Sequence, residues 1–498
     1  MEILFEHLPL LPILIPLAGA AVALLLRPNG RLQVGWALAT MGTALASSGW
    51  LLTSVWQRGA PLTFASGGWL PPFGIVLVAD LLAAMLVLMS QLVLFSGLLY
   101  AAGAGDRVVR TPGFYSLFLL LATGLSGAFL TGDLFNLFVF AELLVISGTI
   151  LTAIGDDRYG VEAAYKYFYI SLLASAFMLL AIGSLYVSYG TLNMADLAAR
   201  VGADPSAPLL PAAIGLLLAT FMIKSAVFPF HFWQPDFHTA APTAVSAMLS
   251  SVVVKLGVYG FLRMTTLLFV QQAELIQWVL LLLGSAGVLV GGLSAVGTHN
   301  VKRMLAYSTL AQVGFILIGV GWGTPLALAA ALVFTVNHSL IKAALLMLAG
   351  AMASRIQEKS AAFSALTGAG RSFPLPGALF FAGALALAGI PPTNGFVSKL
   401  LLFRSGIAVQ GWVILALIAA GGLLTLIYTM RAFQRIWWQE PAGPLALKAG
   451  DRLLAPALLL GLVLLLGLWA SPLVQLAQET AGWLQTPAVY IGAVLGGQ

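Results

Sequence analysis

Long apolar runs separated by short polar connections fill almost the whole chain. A helix that crosses a bilayer needs about 20 consecutive apolar residues, and we count fourteen segments of that kind. They lie at residues 8–26, 33–55, 74–102, 112–130, 134–154, 163–188, 208–238, 243–266, 275–297, 302–321, 325–351, 374–407, 410–438 and 453–475. The pattern predicts an all-α polytopic membrane protein with about 14 transmembrane helices.

The composition excludes a soluble domain. Hydrophobic residues make up 60% of the chain and charged residues only 8%, whereas a soluble domain has about 25% charged residues. The first apolar segment has no basic flank before it and no small-residue cleavage site after it, so we expect a retained helix. The sequence contains no cysteine, which rules out disulfides, iron–sulfur clusters and thiolate metal sites. We expect no cofactor and no bound metal.

The distribution of basic residues predicts the orientation in the membrane. The net charge is +6, but most of the basic residues lie in short loops, so we expect no nucleic-acid partner. Fifteen of them lie in loops after odd-numbered segments, and four lie in loops after even-numbered segments, namely Arg58, Arg200, Arg263 and Arg404. Loops rich in Lys and Arg stay in the cytoplasm. The count therefore predicts a multi-pass protein of the cell (plasma) membrane with both termini outside.

Five ionisable side chains lie deep inside apolar segments. They are Glu142, Lys224, Lys255, Lys342 and Lys399. A charge at the centre of a bilayer costs roughly 3 kcal/mol or more, so such residues usually face a protein interior and mark an ion path. We hypothesise that Glu142 pairs with Lys224, although a protonated carboxyl used in helix packing is an alternative for Glu142.

A histidine accompanies one of the deep lysines. His338 lies four residues before Lys342, so the two side chains share one face of a helix. Histidine exchanges protons near neutral pH, although a histidine at mid-helix is also often a packed core residue. We expect a proton relay along the membrane plane, in the order Glu142, Lys224, Lys255, His338, Lys342 and Lys399.

Prolines interrupt the seventh and the twelfth segment. The first break contains Pro229 and Pro235, and the second contains Pro391 and Pro392. Proline frees polar backbone groups, and a bilayer tolerates such groups only against protein or a wet cavity. Broken helices at matching positions of two halves indicate a transport site.

The two broken segments lie five segments apart and therefore cross the membrane in opposite directions. This spacing predicts two inverted five-helix repeats, made of predicted helices 4–8 and 9–13, with helices 7 and 12 broken. The predicted domains are 1–105 with helices 1–3, 106–268 as the first repeat, 269–440 as the second, inverted repeat, and 441–498 with helix 14 and the tail.

Polar residues cluster around the first break. His231, Asp236 and His238 could hold a metal or line a hydrated path by which protons reach the relay. We favour the hydrated path because no further ligand lies nearby in the sequence. Asp80 and Asp133 lie near the starts of predicted helices on the outer side, where helix capping or interfacial hydration accounts for them.

At these residues the chain resembles the antiporter-like subunits shared by respiratory complex I, membrane-bound hydrogenases and Mrp-type sodium/proton antiporters. The resemblance extends over roughly residues 70–435 and is carried by TGDLFNLFVFAELL, MIKSAVFPFHFWQPDFHTAAPTAVSAML, VVVKLGVYGFLR, NVKRMLAYSTLAQVGF, VNHSLIKAALLMLAG and GIPPTNGFVSKLLLF. It implies fourteen helices, inverted five-helix repeats, and a proton path through Glu142, Lys224, Lys255 and Lys399.

Within this family, the TGDLFNLFVF run is most similar to D-type subunits of Mrp antiporters. The resemblance implies a transporter subunit rather than an enzyme, with a proton-translocating role and no cofactor. The implied partners are Mrp subunits of the A, B, C, E, F and G types, membrane lipid, protons, and sodium or another monovalent cation.

Other functions stay open at this point. N-type subunits of complex I or of a membrane-bound hydrogenase are the main alternative, because they also carry lysine at the position of Lys399. A self-sufficient secondary transporter and an intramembrane enzyme with a metal held by His231 and His238 are further alternatives.

Overall fold

The computed structural model describes residues 5–441, 443–444 and 446–496. The chain is mostly helical. In chain order the helices are α1 (Leu8–Leu25), α2 (Gly30–Arg58), α3 (Leu81–Ala102), α4 (Phe114–Leu130), α5 (Leu134–Ala153), α6 (Arg158–Tyr189), α7 (Met194–Ala203), α8 (Leu210–Lys224), α9 (Trp233–Ala240), α10 (Thr243–Leu268), α11 (Val270–Gly297), α12 (Val301–Trp322), α13 (Pro325–Ala353), α14 (Phe363–Leu366), α15 (Pro374–Ala388), α16 (Asn394–Ala408), α17 (Trp412–Trp438), α18 (Leu454–Leu468), α19 (Ser471–Leu484) and α20 (Pro487–Leu495). Strands β1 (Leu62–Ala65) and β2 (Val76–Ala79) pair antiparallel between α2 and α3.

Many of these helices are long and apolar enough to span a membrane. In the described part of the chain, nine meet this criterion, and the bent pair α18–α19 would be a tenth. The nine are α1, α3, α5, α6, α10, α11, α12, α13 and α17. The chain is therefore a multi-pass membrane protein, as its hydrophobic pattern predicts.

Asparagine, aspartate and threonine side chains begin many of the helices. Each accepts a hydrogen bond from a backbone N–H of the first turn, which would otherwise lack a partner. The described residues that cap in this way are Asn29, Asp80, Asp133, Asp157, Asn193, Asn300 and Thr324. The predicted capping role of Asp80 and Asp133 is confirmed.

The two interrupted segments are broken where the prolines predict. Segment 208–238 divides into α8, which ends at Lys224, and α9, which begins at Trp233. Segment 374–407 divides into α15 and α16, with Pro391 and Pro392 between them. Pro229 lies in the first break, but the assignment of Pro235 to that break is wrong. Pro235 is in the first turn of α9, where a proline costs no helical hydrogen bond.

The C-terminal region differs from the single helix predicted at 453–475. Helix α18 ends at Leu468, and the chain bends by 78° before α19 begins at Ser471. Pro472 occupies the start of α19, where its ring is tolerated but could not continue the preceding helix. The segment predicted as a tail contains α19 and α20.

The centre of the molecule consists of α10, α12 and α13, which are almost entirely buried. Helices α6, α11 and α17 expose one side each, and on α11 that side carries leucines such as Leu282 and Leu293. An apolar exposed side suits contact with lipid. Charged residues on the three central helices therefore have protein, not lipid, around them.

Small residues allow α8 and α10 to approach closely beside two of the deep lysines. A Cβ atom built at Gly257 would lie 1.8 Å from Ser225 Oγ and 2.5 Å from the Phe221 carbonyl oxygen. The serine hydroxyl could rotate away, but the contact with the backbone carbonyl oxygen is not possible without movement of the helices. Glycine at position 257 therefore sets the spacing between Lys224 and Lys255.

We expect Gly257→Ala to destabilise the protein by about 1–3 kcal/mol, because the added methyl group pushes against backbone of α8. Thermal unfolding of the protein in detergent measures the effect. Gly215→Ala in α8 is the matched control, since a Cβ there meets nothing within 4 Å. Equal unfolding temperatures of the two variants would contradict this account of the helix contact.

Candidate functional site

Glu142 and Lys224 form an ion pair between α5 and α8. Lys224 Nζ lies 3.6 Å from Glu142 Oε1, and the two side chains are 5% and 22% exposed, with the lysine the more buried. Ser175 of α6 donates a hydrogen bond to the same carboxylate oxygen. Lys224 Nζ has no hydrogen-bond partner among the residues that the structure describes. The pairing predicted from the sequence is confirmed as a contact.

Lys255 and His338 join α10 to α13. Lys255 Nζ lies 2.7 Å from His338 Nδ1, and both side chains are buried. A contact this short requires one nitrogen to donate and the other to offer a lone pair. The second ring nitrogen, His338 Nε2, is buried and has no hydrogen-bond partner within the described ranges. The pair can therefore share one proton between Lys255 Nζ and His338 Nδ1. His338 Nε2, on the far side of the ring, stays free to bind another group.

Lys342 points toward α12. Its Nζ donates to the Leu305 carbonyl oxygen at 3.0 Å and to Ser308 Oγ at 2.8 Å. His338 and Lys342 lie on one helix, as predicted, but each binds a different neighbouring helix. Lys342 is therefore held by neutral oxygen acceptors, with no carboxylate among its hydrogen-bond partners in the described chain.

Lys399 is bound to the broken end of α15. Its Nζ donates to the carbonyl oxygens of Leu387 at 3.2 Å and Ala388 at 2.6 Å. The last carbonyls of a helix lack intrahelical partners and carry partial negative charge, so they suit an ammonium group. The break between α15 and α16 thus supplies the ligands of this lysine.

A small cavity of about 10 Å³ lies between Lys399 and His338. Its other polar walls come from Gln312, Asn337 and Ser398. This volume is enough for about one water molecule. Asn337 Nδ2 also donates to Ser398 Oγ at 2.7 Å and to the Asn394 carbonyl oxygen at 2.9 Å, which fastens α16 to α13. The cavity therefore lies between two members of the predicted relay that both belong to residues 269–440.

The three polar residues around the first break do not converge on one point. Asp236 forms ion pairs with Arg303 at 2.8 Å and with Lys166 at 3.2 Å. His238 is fully buried beside Trp233, and His231 stacks on a phenylalanine ring at the break. Within the described residues, no group of three His, Cys, Asp or Glu side chains could hold a metal ion.

A polar crevice of about 510 Å³ opens beyond this break, at the turn between α9 and α10. It is lined by residues 239–243, by Lys302 and by Asp106 and Asp157, among others. Lys302 and Lys342 both lie close enough to His238 to interact with it electrostatically. The buried imidazole therefore lies between the crevice and one of the deep lysines.

Sequence reasoning missed a buried ion pair. The loop count of basic residues places Arg263 in a loop, but it lies in α10 and is 3% exposed. Its Nη1 and Nη2 donate to Asp80 Oδ2 at 2.7 Å and to Asp80 Oδ1 at 2.9 Å. The available signal was the apolar segment 243–266, which includes Arg263.

Sequence reasoning also missed the neutral partners of the deep charges. Hydroxyl and amide groups on neighbouring helices contact the lysines, the glutamate or the cavity between them; they include Ser175, Ser308, Gln312, Asn337 and Ser398. Isolated serines and asparagines in apolar helices are common, so the only available signal was their helical spacing from the charged residues.

Known proteins resemble this chain over nearly its full length. The sequence model described as "NADH:quinone oxidoreductase/Mrp antiporter, TM" matches residues 131–425. The D-type Na(+)/H(+) antiporter subunit of Alkalihalophilus pseudofirmus is 35% identical over 98% of this chain and 99% of that protein. The N-type NADH-quinone oxidoreductase subunit of Desulforudis audaxviator is 36% identical over 94% of this chain and 97% of that protein.

A solved structure agrees with these relatives. A chain of the Mrp complex from Dietzia sp. DQ12-45-1b superposes with a TM-score of 0.92 at 28% identity, and the match covers 99% of this chain and 100% of that chain. The family sequence model matches more than half of the chain, and the matched range includes Glu142, Lys224, Lys255, Lys342 and Lys399. The chain therefore belongs to the NADH:quinone oxidoreductase/Mrp antiporter membrane-subunit family.

Proposed function

We propose that this chain is the proton-translocating core subunit of a multi-subunit Mrp-type cation/proton antiporter in the cell membrane. The observation that carries the proposal is a set of ionisable groups inside the apolar helices α5, α8, α10, α13 and α16. It consists of Glu142, Lys224, Lys255, His338, Lys342 and Lys399. The relatives named as D-type antiporter subunits and the Mrp complex structure support the same function.

The electrostatics of the first pair suit a switch. Two opposite unit charges 3.6 Å apart attract by about 4 kcal/mol at an effective dielectric constant of about 20. Neutralising Glu142, or moving it away, removes this stabilisation of the Lys224 ammonium group. Lys224 then gives up its proton more readily to the next acceptor. The relay advances by alternating such pairings along the membrane plane.

We further propose that the polar crevice between α9 and α10 provides protons to the relay. His231 lies in the first break, and Asp236 and His238 lie on α9, where two basic side chains pair with Asp236. This proposal keeps the hydrated path expected from the sequence and assigns no metal to these residues.

The proposed architecture has fourteen helices and two inverted repeats, residues 106–268 and 269–440, flanked by 1–105 and 441–498. In support, each repeat contains one broken helix with a deep lysine beside the break, Lys224 on α8 and Lys399 on α16. The loops that follow odd-numbered predicted segments carry most of the basic residues, and this supports a cytoplasmic location for them. Both termini then lie outside.

The coupled cation takes a different route in this proposal. Sodium prefers several oxygen ligands, whereas the deep site contains a single carboxylate and otherwise amines and hydroxyl groups. We therefore infer that the sodium path lies partly in partner subunits of the A, B, C, E, F and G types. The chain acts as a transporter subunit and not as an enzyme.

The test uses the assembled antiporter in sealed vesicles, in which sodium addition changes the internal pH. We expect Lys224→Ala and Lys399→Ala each to slow this exchange by about 100-fold, because a positioned proton-transfer group contributes that much or more. Subunit composition after purification verifies assembly. Wild-type exchange in both variants would overturn the proposal.

The second candidate function is an N-type subunit of a redox-driven proton pump. It is favoured by the relative of that type at 36% identity. The subunits that copurify with this chain separate the two functions. Flavin-, iron–sulfur- or quinone-binding partners would establish the pump, and A- to G-type antiporter subunits would establish the antiporter.

A further inference from the structure

Lys342 and Lys399 are separated by a set of buried hydroxyl and amide groups that the proposed relay does not yet include. Lys342 Nζ donates to Ser308 Oγ at 2.8 Å. The same oxygen accepts a hydrogen bond from the Tyr428 hydroxyl at 2.7 Å. Ser308 lies on α12 and Tyr428 on α17, and both are buried. The serine oxygen is thus shared between a deep lysine and a phenol from another helix.

The tyrosine leads on toward Lys399. Thr425 lies on α17 three residues before Tyr428, and Gln312 Nε2 of α12 donates to Thr425 Oγ1 at 3.3 Å. Gln312 forms part of the wall of the small cavity that Lys399 lines. On α17, a Cβ atom at Gly422 would lie 3.6 Å from Lys399 Nζ, so this helix passes directly beside the lysine.

This arrangement is difficult to explain by packing alone. A buried tyrosine hydroxyl needs only one partner, and hydroxyl groups in apolar helices usually bond back to their own helix. Here Thr425 does so, since its hydroxyl donates to the Gly421 carbonyl oxygen at 2.8 Å. Ser308, Tyr428 and Gln312 instead form hydrogen bonds between α12 and α17. These four side chains have no ion pair to hold and no surface to reach, since all four are at most 1% exposed.

We propose that the Tyr428 hydroxyl, together with Ser308, transfers protons between Lys342 and the cavity beside Lys399. This inference rests on the proposed proton-translocating function and names a residue through which it acts. Protons could thus reach Lys399 by two routes, one through Ser308 and Tyr428 and the other from His338 directly across the cavity. It makes α17 part of the conducting path.

The transfer conserves atoms and charge. The Tyr428 hydroxyl, which donates to Ser308 in the structure, first rotates so that the serine O–H donates to the phenol oxygen. An N–H bond of the Lys342 ammonium then breaks as an O–H bond forms on Ser308, and the original serine proton moves to the Tyr428 oxygen. The tyrosine proton passes to a water molecule in the cavity, and that water gives a proton to the Lys399 amine. Each bond that breaks is matched by one that forms, and the hydroxyl groups then rotate back.

The test compares Tyr428→Phe with the wild-type protein in the assembled antiporter. Phenylalanine keeps the ring and its packing and removes only the hydroxyl group. We expect the maximal exchange rate to fall about 10-fold, less than for a lysine variant because the His338 route remains. The KM for sodium is expected to stay unchanged, and the ratio of rates in H₂O and D₂O is expected to rise because proton transfer becomes limiting.

Tyr490→Phe is the matched control, since this buried tyrosine hydroxyl on α20 has no hydrogen-bond partner in the described structure. Ser308→Ala removes the same link from the other side and also serves if Tyr428→Phe does not assemble. We expect Ser308→Ala with Tyr428→Phe to be no slower than either variant alone, because both act in one path.

Several outcomes overturn the inference. The first is an unchanged exchange rate in both Tyr428→Phe and Ser308→Ala. The others are a raised KM for sodium or an unchanged isotope ratio in Tyr428→Phe, and additive losses of exchange rate in the double variant. Each of them would make Tyr428 a packing residue only. The proposed function is tested separately by Glu142→Gln. If Glu142→Gln is inactive while Tyr428→Phe exchanges normally, only the inference fails; if both exchange normally, the proposed function fails.

Discussion

Glu142→Gln is expected to reduce sodium-driven proton exchange to the background of empty vesicles. Glutamine fills the same space, and the partly exposed position tolerates an amide, so assembly is expected to be unaffected. The variant lacks the negative charge that stabilises the Lys224 ammonium group by about 4 kcal/mol. An amide also cannot exchange the proton of a carboxyl. Fluorescence of a trapped pH indicator after sodium addition measures the loss.

Two further variants make the result specific. Glu142→Asp keeps the carboxylate but withdraws it by one methylene group, so we expect partial exchange. Glu162→Gln removes a carboxylate on α6 that pairs with Lys166 at the surface, where such pairs contribute little, and it is expected to exchange normally. Normal exchange by Glu142→Gln would remove the carboxylate from the mechanism and would contradict the relay.

Arg263→Met is expected to lower the free energy of unfolding by about 3–5 kcal/mol, because it leaves the buried carboxylate of Asp80 without its guanidinium partner. The variant also loses the stacking of this guanidinium against the rings of Tyr259 and Tyr490, at 5.0 and 4.9 Å. These contacts tie α10 to α3 and α20. Denaturant or thermal unfolding of the protein in detergent measures the loss.

Arg404→Met provides the control, since Arg404 is exposed on α16 and its loss is expected to change stability by at most about 0.5 kcal/mol. The double variant Asp80→Asn with Arg263→Met is expected to recover much of the loss, because no charge then stays buried without a partner. Asparagine also keeps the cap of α3. If the double variant is less stable than Arg263→Met alone, the charge pair is not the cause of the destabilisation.

The depth of charged residues was predictable from single segments. A lysine in the middle of an apolar run, such as Lys255, must lie inside the bilayer span wherever the helix packs. The proline breaks were predictable for the same local reason, since proline cannot continue a helix hydrogen-bond pattern. Errors occurred at positions near segment ends. Arg263 lies in a helix and not in a loop, and Pro235 lies in a helix and not in a break.

The identity of each partner was not predictable in this way. Glu142 and Lys224 were paired because Glu142 is the single carboxylate among the deep ionisable residues and needs a basic partner. Lys342 offered no such argument, because its acceptors are a carbonyl oxygen and the hydroxyl of Ser308. Neutral acceptors are present on every helix, so only the packing of α12 against α13 selects among them.

The sequence by itself determined that the chain is a polytopic membrane protein with deep charges and two broken helices. Apolar length, proline and charge act within one segment, and their consequences do not depend on the neighbouring helices. Only the tertiary structure decided which charges meet, that Lys399 binds the open end of α15, and that Arg263 is buried against Asp80. These contacts join residues far apart in the chain, and their geometry depends on how closely the helices pack.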